Sequence, residues 1–218
     1  MPAKRIAAIA GSTGLVGRQL IEQLLDSTRY TDVHAIGRRA PPAVHKKLHV
    51  IASDLRTIAT LPTIDDAFCC LGTTIKKAGS QAAFRAVDFD MVLNFAKAAK
   101  QAGATRFLVV SAMGANAKSS VFYNRVKGEM EQALREMDFK SLTIFRPSFL
   151  VGERDEARMG ERLGIAVFSA LAPLMIGPAR KVRPVEAEVV SRAMFAAAAN
   201  DVAGVTAVES DEIAGLTG

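Results

Sequence analysis

The sequence predicts an α/β fold in which helices pack on both faces of a parallel sheet, the doubly wound arrangement. Short apolar runs typical of buried strands alternate along the chain with segments whose apolar residues repeat at helical spacing. The chain has 218 residues, of which 50% are hydrophobic, so it can bury a sizeable core. We therefore expect one domain over residues 1–218, with a small substrate or lid segment at 150–180.

The first βα unit, Arg5 to Leu25, carries the most informative motif. A predicted strand, Ile6 to Ala10, is followed by Gly11, Gly14 and Gly17 and then by an amphipathic helix. Glycine permits a tight turn and lets a pyrophosphate approach the backbone, while free N–H groups at the helix start bind phosphate. This context predicts a dinucleotide-binding loop of the Rossmann fold. The alternative is an ordinary strand-to-helix turn whose small residues allow close packing.

The second predicted strand, Asp32 to Gly37, runs directly into Arg38 and Arg39. In dinucleotide-binding folds an acidic residue here holds the ribose hydroxyls of NAD(H), whereas arginine accommodates the 2′-phosphate of NADP(H). Two guanidinium groups can bind a phosphate through charge-assisted hydrogen bonds. We therefore expect NADP(H) to be preferred over NAD(H), the alternative being a solvated basic turn.

A third predicted strand, Lys47 to Ala52, precedes Asp54 and Leu55. At this position the two residues are expected to meet the edge of an adenine ring. An aspartate that only caps the following turn is the alternative.

A fourth predicted strand, Asp66 to Leu71, ends in a turn of small residues that includes Gly72 and Thr73. Because ligands of parallel sheets bind at the carboxyl ends of the strands, we expect this turn to lie near the cofactor. Lys76 and Lys77 follow it, either as solvated loop lysines or as added charge beside the phosphates.

The candidate catalytic residues follow a long predicted helix, Gln81 to Gln101, and a fifth strand, Arg106 to Val110. Ser111 ends that strand, and Tyr123 and Lys127 share one face of the next helix. A tyrosine titrates near pH 10, but an ammonium ~5 Å away at an effective dielectric of ~20 favours the phenolate by about 3 kcal/mol. Together with a serine hydroxyl that can hold a substrate carbonyl, this pair predicts acid–base chemistry.

Three later elements complete the predicted fold. They are a sixth strand from Leu142 to Phe145, a packing helix from Pro184 to Ala199 and a last short strand, VTAVE, in the tail from Val205 to Ile213.

Composition and charge favour some classes of partner over others. The formal charge is +6, with Lys and Arg scattered along the chain, and tryptophan is absent. This pattern favours a polyanionic cofactor and disfavours nucleic acid, which requires a basic stripe with stacking aromatics. The three histidines have no ligand spacing, so we expect no metal site.

The cysteines and the N-terminal sequence predict a cytoplasmic location. Cys69 and Cys70 are adjacent in an apolar run, as expected for core residues in a reducing compartment. The first strand begins almost at the N-terminus, so a signal peptide is not expected. The apolar run from Leu163 to Gly177 is too short for a membrane span, and we expect a helix beside the cleft or, alternatively, a membrane-surface helix.

Six motifs occur in the order and spacing of short-chain dehydrogenases/reductases: GSTGLVG, GRR, CCLGTT, VVSAMGA, YNRVK and FRPSFLVG. More narrowly, the chain resembles the atypical extended branch that includes the Tat-interacting oxidoreductase group. The resemblance spans nearly the whole chain, and it is far more specific for the fold than for the substrate.

The resemblance implies a role for each matching residue. Those of the pyrophosphate loop would be Gly11, Ser12, Thr13, Gly14, Leu15, Val16 and Gly17. Those along the adenosine side would be Arg38, Arg39, Asp54, Leu55, Leu71, Gly72 and Thr73. Pro147 would border the nicotinamide, Ser111 would orient the carbonyl, Tyr123 would move the proton, and Lys127 would also hold the nicotinamide ribose.

The chain departs from the resembled pattern in two places. Many relatives carry an asparagine of a proton relay where this chain has Asp88. Extended members also have a substantial C-terminal lobe, whereas here only a small one would fit, from Gly152 to Pro178. The mixed-charge run from Arg154 to Arg162 in it is a solvated loop or, alternatively, a lid.

Taken together, these features predict an NADP(H)-dependent oxidoreductase of the short-chain type that acts on a small carbonyl or alcohol. The alternative is a non-catalytic NADP(H)-binding sensor or assembly protein. We expect a monomer or a homodimer.

Overall fold

The computed structural model describes residues 4–151, 183–200 and 202–217. The strands are β1 (Arg5–Ala10), β2 (Tyr30–Gly37), β3 (Leu48–Ala52), β4 (Asp66–Cys69), β5 (Arg106–Val110), β6 (Ser141–Arg146), β7 (Leu150–Val151), β8 (Val185–Glu186) and β9 (Gly204–Glu209). Seven of them form one parallel sheet in the order β3-β2-β1-β4-β5-β6-β9, and β7 pairs with β8 separately. The predicted doubly wound Rossmann fold is confirmed.

The α-helices are α1 (Leu15–Asp26), α2 (Ile75–Ala78), α3 (Gln81–Arg85), α4 (Val92–Gln101), α5 (Phe122–Arg135) and α6 (Ala187–Ala199). A π-helical segment, Ala86–Met91, joins α3 to α4, and a 3₁₀ helix covers Ile213–Thr217. The long helix predicted over 81–101 is therefore present, but with a wider turn in its middle. Within the described residues, no helix combines the length and apolar character needed to cross a membrane.

The core has two layers, one on each face of the sheet. Alternate residues of β1 show this division, since Ala7 and Ile9 belong to one apolar cluster and Ala8 and Ala10 to the other. Helices α1 and α6 cover the first face, while α4 and α5 cover the second. A central strand buried on both faces is apolar throughout, as in other parallel sheets.

The strand order reverses direction between β1 and β4, and this reversal positions the candidate site. After β1 the chain builds β2 and β3 on one side, and then crosses to β4 on the other. The loops that follow β1 and β4 leave the sheet in opposite directions there and create the crevice in which such folds bind ligands. The turn with Gly11 thus lies beside the turn with Gly72, and the Cys70 N–H donates to the Ala10 carbonyl at 2.8 Å.

At the opposite, amino-terminal edge of the sheet, Asp66 forms a buried ionic cluster. Its carboxylate accepts hydrogen bonds from Arg5 at 2.8 and 2.9 Å, from Arg106 at 3.2 Å and from the Tyr30 hydroxyl at 2.8 Å. The Arg29 guanidinium lies 3.9 Å away. The cluster joins β1, β2, β4 and β5 at the edge remote from the crevice.

The sequence predicted all seven strands of the main sheet to within two residues at each end. The short helix α2 and the β7–β8 pair were not predicted. Most of the predicted lid at 150–180 lies outside the described residues, and so do the charged run and the apolar run within it.

Candidate cofactor and catalytic site

The turn after β1 and the first turn of α1 each require a glycine. Gly11 has a φ of +85°, and a Cβ on it would lie 2.6 Å from the Cys70 carbonyl group. A Cβ on Gly17 would lie 2.1 Å from the Gly11 carbonyl oxygen. The loop, the start of α1 and the end of β4 therefore approach one another more closely than any side chain would allow.

The N-terminus of α1 is suited to an anion. Gly14 is the N-cap residue of α1 and has no side chain to accept a hydrogen bond from the first turn. That turn contains no acidic residue. The first N–H groups of the helix thus have no side-chain acceptor, and the helix dipole favours negative charge there. Thr13 is exposed beside them, whereas Ser12 and Val16 are buried. These features fit the pyrophosphate of a dinucleotide.

Arg38 and Arg39 are exposed directly after β2. Because Ala10 of β1 is in register with Ile36 of β2, the two arginines leave the sheet beside the glycine turn. Both guanidinium groups are therefore accessible at the edge where the adenosine side of a cofactor is expected. Their binding to a 2′-phosphate stays a prediction.

The loop after β3 is held by an asparagine side chain of α4. Asn94 of α4 donates to the Leu55 carbonyl at 3.2 Å and to the Arg56 carbonyl at 2.7 Å. Leu55 is buried with a φ of 65°, an unusual backbone conformation for leucine. Asp54 accepts the Arg56 N–H at 2.9 Å, as its turn-capping interpretation expects, and the adenine contact remains a prediction.

Asp88 links the turn after β4 to the helical layer. It is fully buried in the π-helical segment, and its Oδ2 accepts the Thr73 N–H at 2.9 Å. A Cβ on Gly72 would lie 3.5 Å from the Oδ1 atom of Asp88. Leu71, just before, is half-buried against the core. π-Helical turns are frequent at functional sites, and this one places a carboxylate beneath the predicted cofactor turn.

Lys127 forms a buried ion pair with Asp88. Its Nζ lies 2.7 Å from Asp88 Oδ1, and only 4% of the lysine side chain is exposed. Burial alone lowers the pKa of Lys127, but the Asp88 carboxylate and, to a smaller extent, the Tyr123 phenol outweigh burial and leave the pKa raised. The lysine is therefore charged, and its charge is offset by its neighbour.

Tyr123 stands one helical turn before Lys127 on α5 and is half-buried. Its ring packs against the buried ring of Phe84, with centroids 5.3 Å apart. Arg85 and Glu129 form a further ion pair between α3 and α5. These contacts fix the phenol against the helix that leads to Asp88.

Ser111 has a partner within the protein. Its Oγ is buried and donates to Glu131 Oε1 at 2.6 Å. Glu131 is held in turn by Arg146, at 3.0 and 2.5 Å, and Arg146 also binds Glu209 of β9 at 2.8 Å. Since a hydroxyl has one proton, Ser111 in this arrangement presents only lone pairs to a ligand. A carbonyl oxygen requires a hydrogen-bond donor, so Ser111 could orient a carbonyl only by giving up its bond to Glu131. Its role toward a carbonyl stays a prediction.

Sequence reasoning missed Glu131, although its spacing carried a signal. It lies four residues after Lys127 and therefore on the same face of α5, which faces the sheet. A carboxylate on a helix face that is otherwise buried requires a partner, and the partner here is Arg146 at the end of β6.

The small-residue loop after β5 packs tightly on α5. A Cβ on Gly128 would lie 2.1 Å from the Ala117 nitrogen. The Met113 N–H donates to the carbonyl of the buried Pro147 at 2.9 Å, so the loop also contacts the end of β6. Pro147 therefore lies at the carboxyl end of β6 beside this loop, and its contact with a nicotinamide stays a prediction.

The thiols and acidic residues do not point to metal or disulfide chemistry. Cys69 is fully buried, burial raises the pKa of its thiol to about 12, and neither it nor Cys70 forms a disulfide. Among residues 4–151, 183–200 and 202–217, no group of three or more His, Cys, Asp or Glu side chains is arranged to hold a metal ion.

A family model described as NAD(P)H-binding matches residues 11–164. Protein HTATIP2 of Rattus norvegicus is 35% identical over 170 residues, which cover 75% of this chain and 70% of that protein. Protein FMP52-1, mitochondrial, of Scheffersomyces stipitis is 36% identical over 160 residues, which cover 70% of each.

Solved structures of the same fold bind either nicotinamide cofactor. The Bordetella bronchiseptica enzyme WbmH, in complex with NAD+, aligns with a TM-score of 0.71 and 16% identity over 95% of this chain and 76% of its own. The human epimerase family protein SDR39U1, with NADPH, aligns with a TM-score of 0.64 and 19% identity over 93% and 73%. At these identities the likeness shows the fold alone.

The predicted cytoplasmic location is wrong, because the names of similar proteins contradict it. FMP52 proteins from Scheffersomyces stipitis, Emericella nidulans and Coccidioides immitis are all named mitochondrial. The prediction depended on the unpaired cysteines and on the expectation of no signal peptide, and free thiols do not distinguish one reducing compartment from another.

Proposed function

The chain belongs to the NAD(P)H-binding family of short-chain dehydrogenases/reductases, and from this premise we propose that it is an NADP(H)-dependent oxidoreductase. Its substrate would be a small carbonyl compound or alcohol, with Tyr123 as the acid–base group. The observation that carries the proposal is the Asp88 carboxylate, which contacts both the turn after β4 and Lys127. One buried group thereby connects the predicted cofactor loop to the predicted catalytic helix.

A bound nicotinamide would supply or accept the hydride. The N–H groups at the start of α1 would bind the pyrophosphate, and Lys127 would hold the ribose. The Tyr123 hydroxyl would give its proton to a carbonyl oxygen in reduction and take a proton from an alcohol in oxidation. The preference for NADP(H) is supported by Arg38 and Arg39, which follow β2 where NAD(H)-binding relatives carry a carboxylate.

The decisive variant is Tyr123→Phe, because phenylalanine keeps the packing against Phe84 and removes only the hydroxyl. NADPH oxidation with a panel of small aldehydes and ketones is expected to fall by about 10²- to 10⁴-fold, the usual contribution of a general acid. NADPH affinity, measured by fluorescence titration, is expected to change by less than about two-fold.

Tyr30→Phe is the matched control, since Tyr30 is the other tyrosine and hydrogen-bonds Asp66 at the remote edge of the sheet. It is expected to retain turnover per folded molecule. If Tyr123→Phe keeps the activity of the wild type, Tyr123 is not the acid.

A non-catalytic NADP(H)-binding protein is the second candidate, and two contacts favour it. The Ser111 proton is donated to Glu131, and the Lys127 charge is offset by Asp88, so both groups have partners inside the protein. Tight NADPH binding without oxidation by any compound of the panel would support this function over the first.

A further inference from the structure

We propose that His34 and His49 form an acid-sensitive contact that fastens strand β3 to the sheet and that loosens when His34 takes up a proton. The two histidines lie on neighbouring strands, β2 and β3, and neither belongs to the candidate cofactor and catalytic site. Strand β3 stands at one end of the strand order and, within the described residues, pairs with β2 alone. A weaker contact between these two strands therefore acts on β3 directly.

The two imidazole rings stack across the β2–β3 pair. His34 and His49 are directly in register, and their ring centroids are 5.0 Å apart with 29° between the ring planes. Because side chains alternate along a strand, the rings share a face of the sheet with Ile36 and Ile51, two residues further on, which pack in the apolar cluster under α4 and α5. Cross-strand side-chain pairs of this kind stabilise a sheet.

A buried ring nitrogen makes His34 resist protonation. Its Nδ1 atom is buried and, among the residues that the structure describes, has no hydrogen-bond partner. A neutral imidazole can leave this nitrogen as a bare acceptor, but an imidazolium must carry a proton on it. That N–H group would be a buried donor without an acceptor, which destabilises the folded arrangement.

The stacked neighbour adds an electrostatic effect. His49 Nε2 lies 2.8 Å from Asp32 Oδ1, so a proton on His49 has a carboxylate partner. The pKa of Asp32 is lowered, chiefly by this hydrogen bond, and the carboxylate therefore keeps its charge in mild acid. When His49 is protonated, a proton on His34 places two like charges on rings 5.0 Å apart.

Burial is the largest effect on His34 and lowers its pKa. The charge of His49 lowers the pKa of His34 further, whereas the Asp32 carboxylate opposes both effects. These three effects leave the pKa of His34 below its ordinary value, which agrees with the geometry of the buried nitrogen and the stacked ring.

The other elements around the pair present apolar or engaged side chains. On the far side of β2, strand β1 places Ala8 in register with His34. In the loop after β3, the Asp54 carboxylate accepts the Arg56 N–H at 2.9 Å. Before β4, the Asp65 carboxylate accepts a backbone N–H of β1 at 2.8 Å. The charges that act on His34 are thus those of His49 and Asp32.

The hold on β3 therefore depends on pH in one direction. Because the pKa of His34 in the folded protein lies below the ~6.5 of an unfolded histidine, the stabilisation by the neutral ring is fully present above pH ~6.5. It is lost as the pH falls from there through the pKa of His34 in the folded protein. Since β3 leads into the loop of Asp54 and Leu55, acid would also weaken cofactor binding, a consequence that rests on the proposed function.

Proton NMR measures the contact without cofactor or substrate. His34, His45 and His49 are the three histidines of the chain, so each Cε1–H signal can be assigned with one variant. We expect the His34 signal to titrate below pH ~6.5 and to move up by about 0.5 pH unit or more in His49→Gln, because a like charge is removed. A His34 signal that titrates at or above pH ~6.5, or that does not move in His49→Gln, overturns the proposal.

Hydrogen exchange followed by mass spectrometry reports on β3 itself. The protection of residues 48–52, relative to that of the central strand β5, is expected to fall when the pH is lowered from about 8 to about 5. The fall is expected to be about 10-fold for each pH unit by which the His34 midpoint lies below ~6.5. His34→Phe keeps a ring that can stack on His49 but takes up no proton, so this variant is expected to lose the fall.

His45→Gln is the matched control. His45 lies in the loop before β3, where its Nδ1 accepts the Lys47 N–H at 3.1 Å, and it is not part of the stacked pair. This variant is expected to keep the pH dependence of the wild type. Equal changes in the protection of β3 and β5 in the wild type, or an undiminished fall in His34→Phe, overturn the proposal. If circular dichroism shows that His34→Phe does not fold, His49→Gln decides, since a fall as large as that of the wild type contradicts the contact.

The consequence for the cofactor is tested by a separate measurement. The ratio of the NADPH affinities of His34→Phe and the wild type is expected to rise a few-fold between about pH 8 and about pH 5.5. Taking the ratio removes the protonation of the 2′-phosphate, which both proteins share. A constant ratio overturns this consequence. A protein that binds no NADPH at either pH contradicts the proposed function, while NMR and hydrogen exchange still decide on the histidine contact.

Discussion

Two fully buried carboxylates, Asp66 and Asp88, lie at opposite edges of the same sheet and have different surroundings. Asp66 at the amino-terminal edge is bound by Arg5, Arg106 and the Tyr30 hydroxyl. Asp88 at the carboxyl edge is bound by the Lys127 ammonium and by the Thr73 backbone N–H. The first cluster is rich in positive charge, whereas the second is balanced.

The difference lies in what the partners can do. An arginine does not lose its proton in a protein, so the Asp66 cluster can only hold strands together. A lysine shifts its pKa readily when buried, so the Asp88 pair can change state as conditions or neighbours change. The comparison separates an edge of the sheet that supports stability from the edge at which the proposed function places binding and chemistry.

The largest expected effect tests the stabilising role of the amino-terminal edge. Asp66→Asn removes the charge that compensates Arg5 and Arg106, and neither guanidinium can become neutral. The expected loss is about 3–5 kcal/mol of unfolding free energy in urea denaturation, with NADPH affinity of the folded protein unchanged. Asp90→Asn, an exposed aspartate, is the control and is expected to cost less than about 0.5 kcal/mol. A loss below about 1 kcal/mol for Asp66→Asn would remove the distinction between the edges.

Asp88→Asn is expected to cost less, about 1–3 kcal/mol, because the amide still accepts the Thr73 N–H and Lys127 can release its proton. The cost depends on pH. Although burial alone lowers the pKa of Lys127, Asp88 leaves it raised in the wild type. The stabilisation that the Asp88–Lys127 pair gives the folded protein is therefore complete below the pKa of a lysine in the unfolded chain, ~10.4. It is lost as the pH rises through the pKa of Lys127 in the folded protein.

Urea denaturation of the wild type and of Asp88→Asn between pH 8 and pH 11 would measure this dependence. The difference in unfolding free energy is expected to narrow above pH ~10.4. A constant difference across that range would mean that Lys127 is not the group responsible.

The next prediction concerns binding at the carboxyl edge. Replacing both Arg38 and Arg39 by serine is expected to weaken NADPH binding about 10- to 100-fold, because charge-assisted bonds to a 2′-phosphate are lost. NADH affinity and unfolding free energy are expected to stay nearly unchanged. The control replaces exposed Lys46 and Arg135 by serine, which alters net charge equally elsewhere. Equal losses for NADPH and NADH in the Arg38 and Arg39 variant would argue against a phosphate site there.

The smallest expected effect comes from Asn94→Ala. This variant removes the hydrogen bonds to the carbonyls of Leu55 and Arg56, at an expected cost of about 1 kcal/mol. Because the loop after β3 would relax, NADPH affinity is expected to fall a few-fold as well. Gln101→Ala, on the same helix but exposed, serves as the comparison. If NADPH affinity is unchanged in Asn94→Ala, this loop does not contribute to the cofactor side of the molecule.

Local patterns in the sequence were sufficient to predict the sheet and the glycine turn. Strand β5 was predicted at its observed bounds, since a short apolar run bounded by polar residues is typical of a strand buried on both faces. The need for glycine at 11 and 17 was also recognisable, because the strand, turn and helix of this motif are adjacent in sequence.

The partners of the candidate catalytic residues were not predictable, because the pairings are long-range. Asp88 and Lys127 are 39 positions apart, and Ser111 and Glu131 are 20 apart, so no local periodicity joins them. Helical propensity gives no indication of the π-helical segment either. Only the packing of that segment on α5 turns Asp88 toward the lysine.

The last strand of the sheet has a consequence for how the protein is made. Glu209 of β9 completes the chain of contacts that passes through Arg146 and Glu131 to Ser111. During synthesis, this chain of contacts therefore stays incomplete until residue 209 has left the ribosome and β9 has paired with β6. The glycine turn after β1 emerges much earlier, so its formation precedes completion of these contacts by most of the length of the sheet.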